Sequence, residues 1–183
     1  TVLTGRPHLG GMDVLLVCPR FPVTYWGFEY SLPLIGRRAS LPPLGLITLA
    51  ALLPSRWRLR LVDLNVTLLE NEDLRWADVV MVGGMLVQAP AMQEVVAAAR
   101  AAGCLTVVGG PATNAAPDLF GAADVVFQGE AEGRMAELEA ALARAVRGLR
   151  TLCPPPAERP ELGLAPAPRY DLLDLDAYAS MSL

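Results

Sequence analysis

Short apolar runs alternate with alanine-rich stretches along the 183 residues of the chain. Runs rich in β-branched residues predict strands over 13–18, 58–63, 78–82, 105–109 and 124–128. The intervening stretches predict helices over 43–53, 88–102 and 131–147, a weaker helix over 117–122, and a short helical turn in NEDLRWA at 71–77. Strands that alternate with helices are typical of a parallel sheet with helices on both faces, so the pattern predicts an α/β fold.

The polarity of each predicted strand indicates its place in that sheet. The strand RLRLVD at 58–63 alternates charged and apolar residues, which places it at an edge with one wet face. The strands at 78–82 and 124–128 are apolar throughout and belong in the interior. This arrangement favours a flavodoxin-like, Rossmann-like sheet of five strands in the order 2-1-3-4-5.

The composition changes at residue 151, and six prolines follow between Pro154 and Pro168. Because proline cannot donate to a sheet, this stretch predicts an extended path over the surface. The leucines at 172, 173 and 175 need an apolar surface to cover, on this domain or on a neighbour. We therefore expect a leader over 1–11, which a tag or a trimmed start would explain, a folded domain over 12–150 and a proline-rich linker over 151–183.

Composition excludes several classes of function. A net charge of −4 offers no basic surface for nucleic acid. The longest apolar stretch, at 41–54, contains prolines and is too short for a membrane span. Three cysteines without a CxxC spacing predict neither a disulfide framework nor a metal site, so a reducing cytoplasm is the expected location.

Two glycine pairs, Gly83-Gly84 and Gly109-Gly110, end two strands that are predicted to be neighbours. Ligands of open parallel sheets bind beyond the carboxyl ends of the strands. Positions without Cβ let a ligand approach bare backbone, or let the backbone take a positive φ in a tight turn. Matched pairs on neighbouring strands favour a ligand, and tight turns alone are the alternative.

The loop after the first strand contains neither GxxxxGK[ST] nor GxGxxG, so no phosphate-binding loop is predicted. It is more than 20 residues long, and loops of that length in compact domains are usually functional or disordered. Its aromatic residues predict an ordered lid over a wide, flat, apolar ligand; they are Phe21, Tyr25, Trp26, Phe28 and Tyr30.

Several segments carry a resemblance to a known family: VCPRFPVTYWGF, IGRRASLPPLGLITLAALLP, WADVVMVGGMLVQ, GEAE and PRYDLLDLDAYASMS. The chain resembles the N-terminal, cobalamin-binding domain of cobalamin-dependent radical S-adenosylmethionine enzymes, and looks closest to the subgroup that includes hopanoid C-2 methylases. The resemblance implies a vitamin B12 cofactor, as methylcobalamin or hydroxocobalamin.

The resemblance also implies contacts. Gly109, Gly110 and Pro111 are expected to pass the nucleotide tail of the cofactor. Gly83, Gly84 and Met85 match the Ser-x-Leu element of the family, with glycine in place of the serine that hydrogen-bonds the tail base. The other expected contacts are Tyr25, Trp26, Pro43, Leu44, Leu86, Val87, Gln88, Gly129 and Glu130.

Cobalamin carriers of the methionine synthase kind have Asp-x-His-x-x-Gly after the first strand, but this region contains no histidine. The single histidine of the chain, His8, precedes the first strand. The resemblance therefore implies base-off binding without a histidine ligand, with the lower cobalt face covered by side chains such as Tyr25, Trp26 or Met85.

In the family, a barrel with a CxxxCxxC motif follows this domain and holds the iron–sulfur cluster that cleaves S-adenosylmethionine. This chain has no such motif, so the barrel is an implied partner, and the chain by itself is expected to bind cobalamin without catalysing methylation. Two alternatives stay open: a free-standing corrinoid carrier or sensor, and a flavodoxin-like binder of flavin or nucleotide.

Overall fold

A computed structural model describes residues 11–24, 28, 30–157 and 165–179. The strands are β1 (Asp13–Cys18), β2 (Arg58–Asp63), β3 (Val79–Gly83), β4 (Leu105–Gly109), β5 (Val125–Phe127) and β6 (Thr151–Cys153). The α-helices are α1 (Leu44–Leu52), α2 (Asn71–Trp76), α3 (Ala89–Ala102), α4 (Pro111–Ala115) and α5 (Met135–Arg144). All strand pairs are parallel, and the order is β2-β1-β3-β4-β5-β6.

The predicted order of the first five strands is confirmed, with β2 at an edge and β3 and β5 inside, but the predicted number of strands is wrong. The sixth strand, β6, pairs with β5 and places Leu152 opposite Val126. It fits because the prolines begin only at Pro154, so the three residues before them keep their N–H groups. A three-residue strand beside a proline run shows no periodicity that sequence analysis could detect.

The helices differ from expectation mainly at their ends. The predicted helix over 131–147 is shorter, because Gly133 takes a positive φ of 72° and delays the start of α5. The weak helix over 117–122 is a 3-10 helix, Pro117–Phe120, and α4 was not predicted. Gly103 ends α3 in the left-handed conformation, as its position predicted.

Helices cover both faces of the sheet, as expected. On one face, Met81 and Val107 pack with Leu46 of α1 and Leu138 of α5, and we call this the α1 face. On the opposite face, the α3 face, strand residues such as Val80, Val82 and Val108 pack with Met92, Val95, Val96 and Ala99 of α3.

The repeated ADVV sequence closes the amino end of the sheet. The Asp78 carboxylate, just before β3, accepts a hydrogen bond from the Asp13 N–H of β1 at 2.9 Å. The Asp124 carboxylate, just before β5, accepts one from the Thr106 N–H of β4, also at 2.9 Å. Each aspartate therefore satisfies an N–H group at the start of a neighbouring strand, and the repeat serves the sheet rather than a ligand.

Residues 165–179 return across the domain and pack on the α1 side. The Arg169 N–H donates to the Ile47 carbonyl at 3.0 Å, and a parallel bridge joins Ala39 to Tyr178. Leu172 packs against the core of the α1 face, and Leu173 packs against the cluster of Ala39 and Tyr178. These leucines therefore cover the domain's own apolar surface.

Candidate functional site

A cavity of about 1270 Å³ opens at the carboxyl ends of the strands on the α1 face. Because α1 connects two parallel strands, it runs from that rim back toward the amino end of the sheet. Leu44, Thr48 and Leu52 all line the cavity from α1. The eight steps from Leu44 to Leu52, with a rise of 1.5 Å each, give a lined depth of about 12 Å along this helix.

The cavity has two parts. The part below the rim, which we call the shaft, is lined by Thr48, Leu49, Leu52, Met81, Val107, Phe127 and Leu138. The part at the rim, which we call the mouth, is formed by the loops after the strands and by the approach to α1. Of the expected contacts, Pro43, Leu44, Met85, Val87 and Glu130 line the mouth, and Leu44, Met85 and Val87 are about half exposed. Leu86 lies in the same loop as Met85 but does not line the cavity.

Gly83 and Gly109 stand side by side at the top of the shaft. They are register partners at the ends of β3 and β4. A Cβ on Gly109 would meet only the Phe127 carbonyl oxygen, at 3.6 Å, so the space beside Gly109 is open. A Cβ on Gly83 would lie 3.1 Å from the Leu46 side chain. The absence of a side chain at Gly109 therefore keeps the entrance of the shaft clear, and its absence at Gly83 leaves room for the Leu46 side chain.

Gly84 and Gly110 have a different reason to be glycine. Gly110 has a φ of +85°, and a Cβ there would lie 3.2 Å from the backbone of Gly84. A Cβ on Gly84 would lie 2.8 Å from Pro19. The two loops pack directly against each other, and the Ala112 N–H donates to the Gly84 carbonyl at 3.0 Å. Close packing and a tight turn explain this pair without a ligand.

Gln88 holds the loop after β3 in place. It is 2% exposed, its Nε2 donates to the Pro19 carbonyl at 2.6 Å, and its Oε1 accepts from the Met85 N–H at 2.9 Å. The side chain thus ties the end of β1 to the loop that carries Met85 and Val87. Gln88, one of the expected contacts, lines the cavity, and both ends of its amide are bonded to main chain.

Gly129 makes the turn after β5 with a φ of +79°, and a Cβ there would lie 2.7 Å from Pro156. Arg134, which the sequence analysis missed, fixes this corner of the cavity. Its guanidinium donates to the Gln128 and Pro154 carbonyls at 2.6 and 2.7 Å and lies 4.2 Å from the centre of the Phe127 ring. In the sequence, its only signal was an arginine four residues after the Gly129-Glu130 pair.

A buried polar network also supports the mouth. The Tyr178 hydroxyl donates to Asp63 at the end of β2 at 2.9 Å, and Asn65 donates to the same carboxylate through its N–H and its side chain. Burial and the neighbouring Asp63 raise the pKa of the Cys18 thiol far above its usual range, so Cys18 stays protonated. Burial and Asp63 raise the pKa of Tyr178 in the same way.

Three residues of interest, Tyr25, Trp26 and His8, lie outside the described residues. Within the described residues, no group of three or more histidine, cysteine or acidic side chains is placed to hold a metal ion. Across the same part of the chain, no helix combines the length and apolarity that a membrane crossing requires.

Comparison with known proteins agrees with this geometry. The family model of the B12 binding domain matches residues 33–139. An uncharacterized methyltransferase of Synechocystis sp. is 42% identical over 175 residues, which is 94% of this chain and 32% of the relative. A hopanoid C-2 methylase of Rhodopseudomonas palustris is 33% identical over 167 residues, which is 90% of this chain and 32% of the relative.

The chain therefore spans about a third of the length of these two relatives. The resemblance drawn from the sequence is confirmed, both in the type of domain and in the similarity to a hopanoid C-2 methylase. The chain belongs to the B12-binding domain family.

Proposed function

We propose that this chain binds cobalamin base-off and without a histidine ligand, with the nucleotide tail in the shaft and the corrin ring over the mouth. The observation that carries the proposal is the shaft itself, an apolar opening below two glycines on neighbouring strands, in a cavity that α1 lines over a depth of about 12 Å. A tail that has left the cobalt needs a slot of this kind, whereas a flat ligand alone would not need depth.

The lining fits the cofactor chemically. The walls of the shaft are almost entirely apolar, which suits a planar aromatic base. The mouth carries broad apolar groups, including Pro43, Leu44, Met85 and Val87, which can lie against the corrin ring. Glu130 at the rim is exposed and can accept hydrogen bonds from amide or ribose groups of the cofactor.

Individual residues take different roles in this proposal. Gly83 and Gly109 admit the tail, and Gly110, Pro111 and Gly129 shape the turns around it. Gly84 and Gln88 act by holding the loop after β3, so they position Met85 and Val87 rather than recognise the cofactor directly. Tyr25, Trp26 or Met85 would cover the lower cobalt face, and a thioether there is a packing group rather than a strong ligand.

When bound, cobalamin supplies the chemistry of methyl transfer. We propose that this domain serves a cobalamin-dependent radical S-adenosylmethionine methyltransferase, in which a barrel outside this chain would hold the iron–sulfur cluster. Both relatives carry methyltransferase or methylase names and are about three times as long as the matched region, which supports this part of the proposal.

The test is retention of hydroxocobalamin after desalting, followed by the visible spectrum. We expect the wild type to retain a corrin band with a base-off spectrum that lacks histidine ligation. Gly109→Val places a branched side chain in the open entrance of the shaft. It should lower the retention of cobalamin at least 100-fold, because the valine would occupy the path of the tail and its nearest neighbour, the Phe127 carbonyl, is backbone that cannot move aside.

The matched control is Gly121→Val. Gly121 has a φ of −59°, and a Cβ there would meet only a carbonyl oxygen, at 3.8 Å, outside the cavity. We expect this variant to retain cobalamin like the wild type. Retention of flavin in place of cobalamin would support the flavodoxin-like alternative, and a histidine-ligated spectrum would contradict base-off binding without histidine.

A further inference from the structure

Among the described residues, Thr48 is the one polar side chain that lines the shaft. The other polar side chains that line the cavity lie at the mouth, either on its loops or at the ends of the elements that reach it, as Cys18, Asp63 and Gln88 do. Thr48 instead lies in the middle of α1, one helical turn below Leu44 and one turn above Leu52. Its partners in the shaft are leucine, methionine, valine and phenylalanine side chains.

The Thr48 hydroxyl can be redirected at little cost. Its Oγ1 donates to the Leu44 carbonyl at 2.8 Å, four residues back in the same helix. In an α-helix that carbonyl is already paired with a backbone N–H, so the hydroxyl bond is an additional one. Threonine bonds of this type contribute little to helix stability, and rotation about one side-chain bond releases the proton toward the shaft.

Without Thr48, an aromatic nitrogen base in this shaft would find no hydrogen-bond donor among the described side chains that line it. A base that has left the cobalt exposes a ring nitrogen that accepts a hydrogen bond. Burying an acceptor without a donor is costly, and the apolar walls offer none. Gly83, at the entrance, has no side chain to contribute.

We propose that Thr48 donates a hydrogen bond to a ring nitrogen of the nucleotide base of the cofactor, and so makes this chain selective for corrinoids that carry a nitrogen-containing base. This inference rests on the proposed function, because it requires the base to occupy the shaft. It assigns recognition of the base to α1.

The experiment compares two corrinoids by equilibrium binding. Cobalamin carries the nucleotide tail, whereas cobinamide has the same corrin ring without it. Thr48→Val keeps the shape of the side chain and removes the hydroxyl, and Thr48→Ser keeps the hydroxyl. We expect Thr48→Val to weaken cobalamin binding about fivefold to tenfold and to leave cobinamide binding unchanged. Thr48→Ser should bind both corrinoids like the wild type.

Thr67→Val is the matched control, because Thr67 lines the mouth and is exposed. Any effect of this variant should be equal for the two corrinoids. Three results would overturn the inference and leave the proposed function intact. They are equal cobalamin affinity in the wild type and Thr48→Val, an equal loss of affinity for both corrinoids in Thr48→Val, and a loss in Thr48→Ser as large as in Thr48→Val. A wild type that binds neither corrinoid would overturn both proposals.

Discussion

The two faces of the sheet are built from similar strands but covered in different ways. On the α3 face, Met92, Val95, Val96 and Ala99 of α3 are all buried against the sheet. On the α1 face, Leu49 and Leu52 of α1 are only partly buried and line the cavity. The same sheet therefore has one closed face and one that opens into the cavity.

The sequences of the two helices explain the difference. The helix α3 has polar residues such as Gln93, Glu94 and Arg100 on its outer side, as expected for a helix between core and water. The helix α1, LGLITLAAL, has one polar residue in nine. A helix without a polar face normally has apolar partners all round. The sheet covers only part of α1, and a ligand in the shaft would cover more of it.

The largest expected effect comes from truncating one side chain on each face. Met92→Ala removes a fully buried side chain and should lower the free energy of unfolding by roughly 2–5 kcal/mol. Leu52→Ala removes a side chain that already borders the cavity, so it should cost less than about 1 kcal/mol. Chemical denaturation of the cobalamin-free protein measures both.

In cobalamin binding, the two variants should rank in the opposite order from their ranking in stability. Leu52→Ala should weaken cobalamin binding by about 1–2 kcal/mol through lost apolar contact, whereas folded Met92→Ala should bind normally. Equal losses of stability for the two variants would contradict the contrast between a closed face and an open one.

A smaller effect is expected where the chain returns over the α1 side. Tyr178→Phe deprives the buried Asp63 carboxylate of one donor and should lower the free energy of unfolding by about 1–3 kcal/mol. It should also loosen the loop of Ala39 at the mouth and weaken cobalamin binding. Tyr170→Phe, in the same returning segment, is the control. Equal unfolding midpoints for Tyr178→Phe and Tyr170→Phe would contradict a stabilising role of the hydrogen bond between Tyr178 and Asp63.

The smallest effect concerns alkaline pH. Above the usual thiol pKa of 9.0, the unfolded chain loses the Cys18 proton while the folded chain keeps it, because burial and Asp63 raise the pKa. The unfolded state then binds fewer protons, so the free energy of unfolding falls as pH rises, by at most about 1.4 kcal/mol per pH unit for this thiol. Cys18→Ala should flatten the dependence between pH 8 and 10, measured by denaturation. An unchanged slope in Cys18→Ala would contradict a raised pKa of the Cys18 thiol in the folded protein.

Local patterns predicted much of the fold. The alternation in RLRLVD placed β2 at an edge, and uninterrupted apolar runs placed β3 and β5 inside. These features depend on neighbours a few residues apart, so a single sequence reveals them. The two glycine pairs at predicted strand ends, and then the resemblance, pointed to the rim where Gly83 and Gly109 meet.

The remaining features depend on contacts between distant residues. Tyr178 and Asp63 are 115 positions apart, and no local pattern pairs them. Gly84 and Gly110 look equivalent to Gly109 in the sequence, but only the three-dimensional packing shows that a Cβ at Gly84 or Gly110 would lie within 3.2 Å of neighbouring protein atoms. The strand β6 was not predicted, because it has only three residues and they directly precede a proline run.

Hydrogen exchange on the two helices tests the central claim most directly. Amide protection of α1 and α3 would be measured with and without cobalamin, with cobinamide as a second ligand. We predict that cobalamin raises protection along α1, including the turn around Thr48 and Leu52, more than cobinamide does, and leaves α3 unchanged. Protection confined to the mouth loops, or equal for the two corrinoids, would contradict a cofactor tail in the shaft.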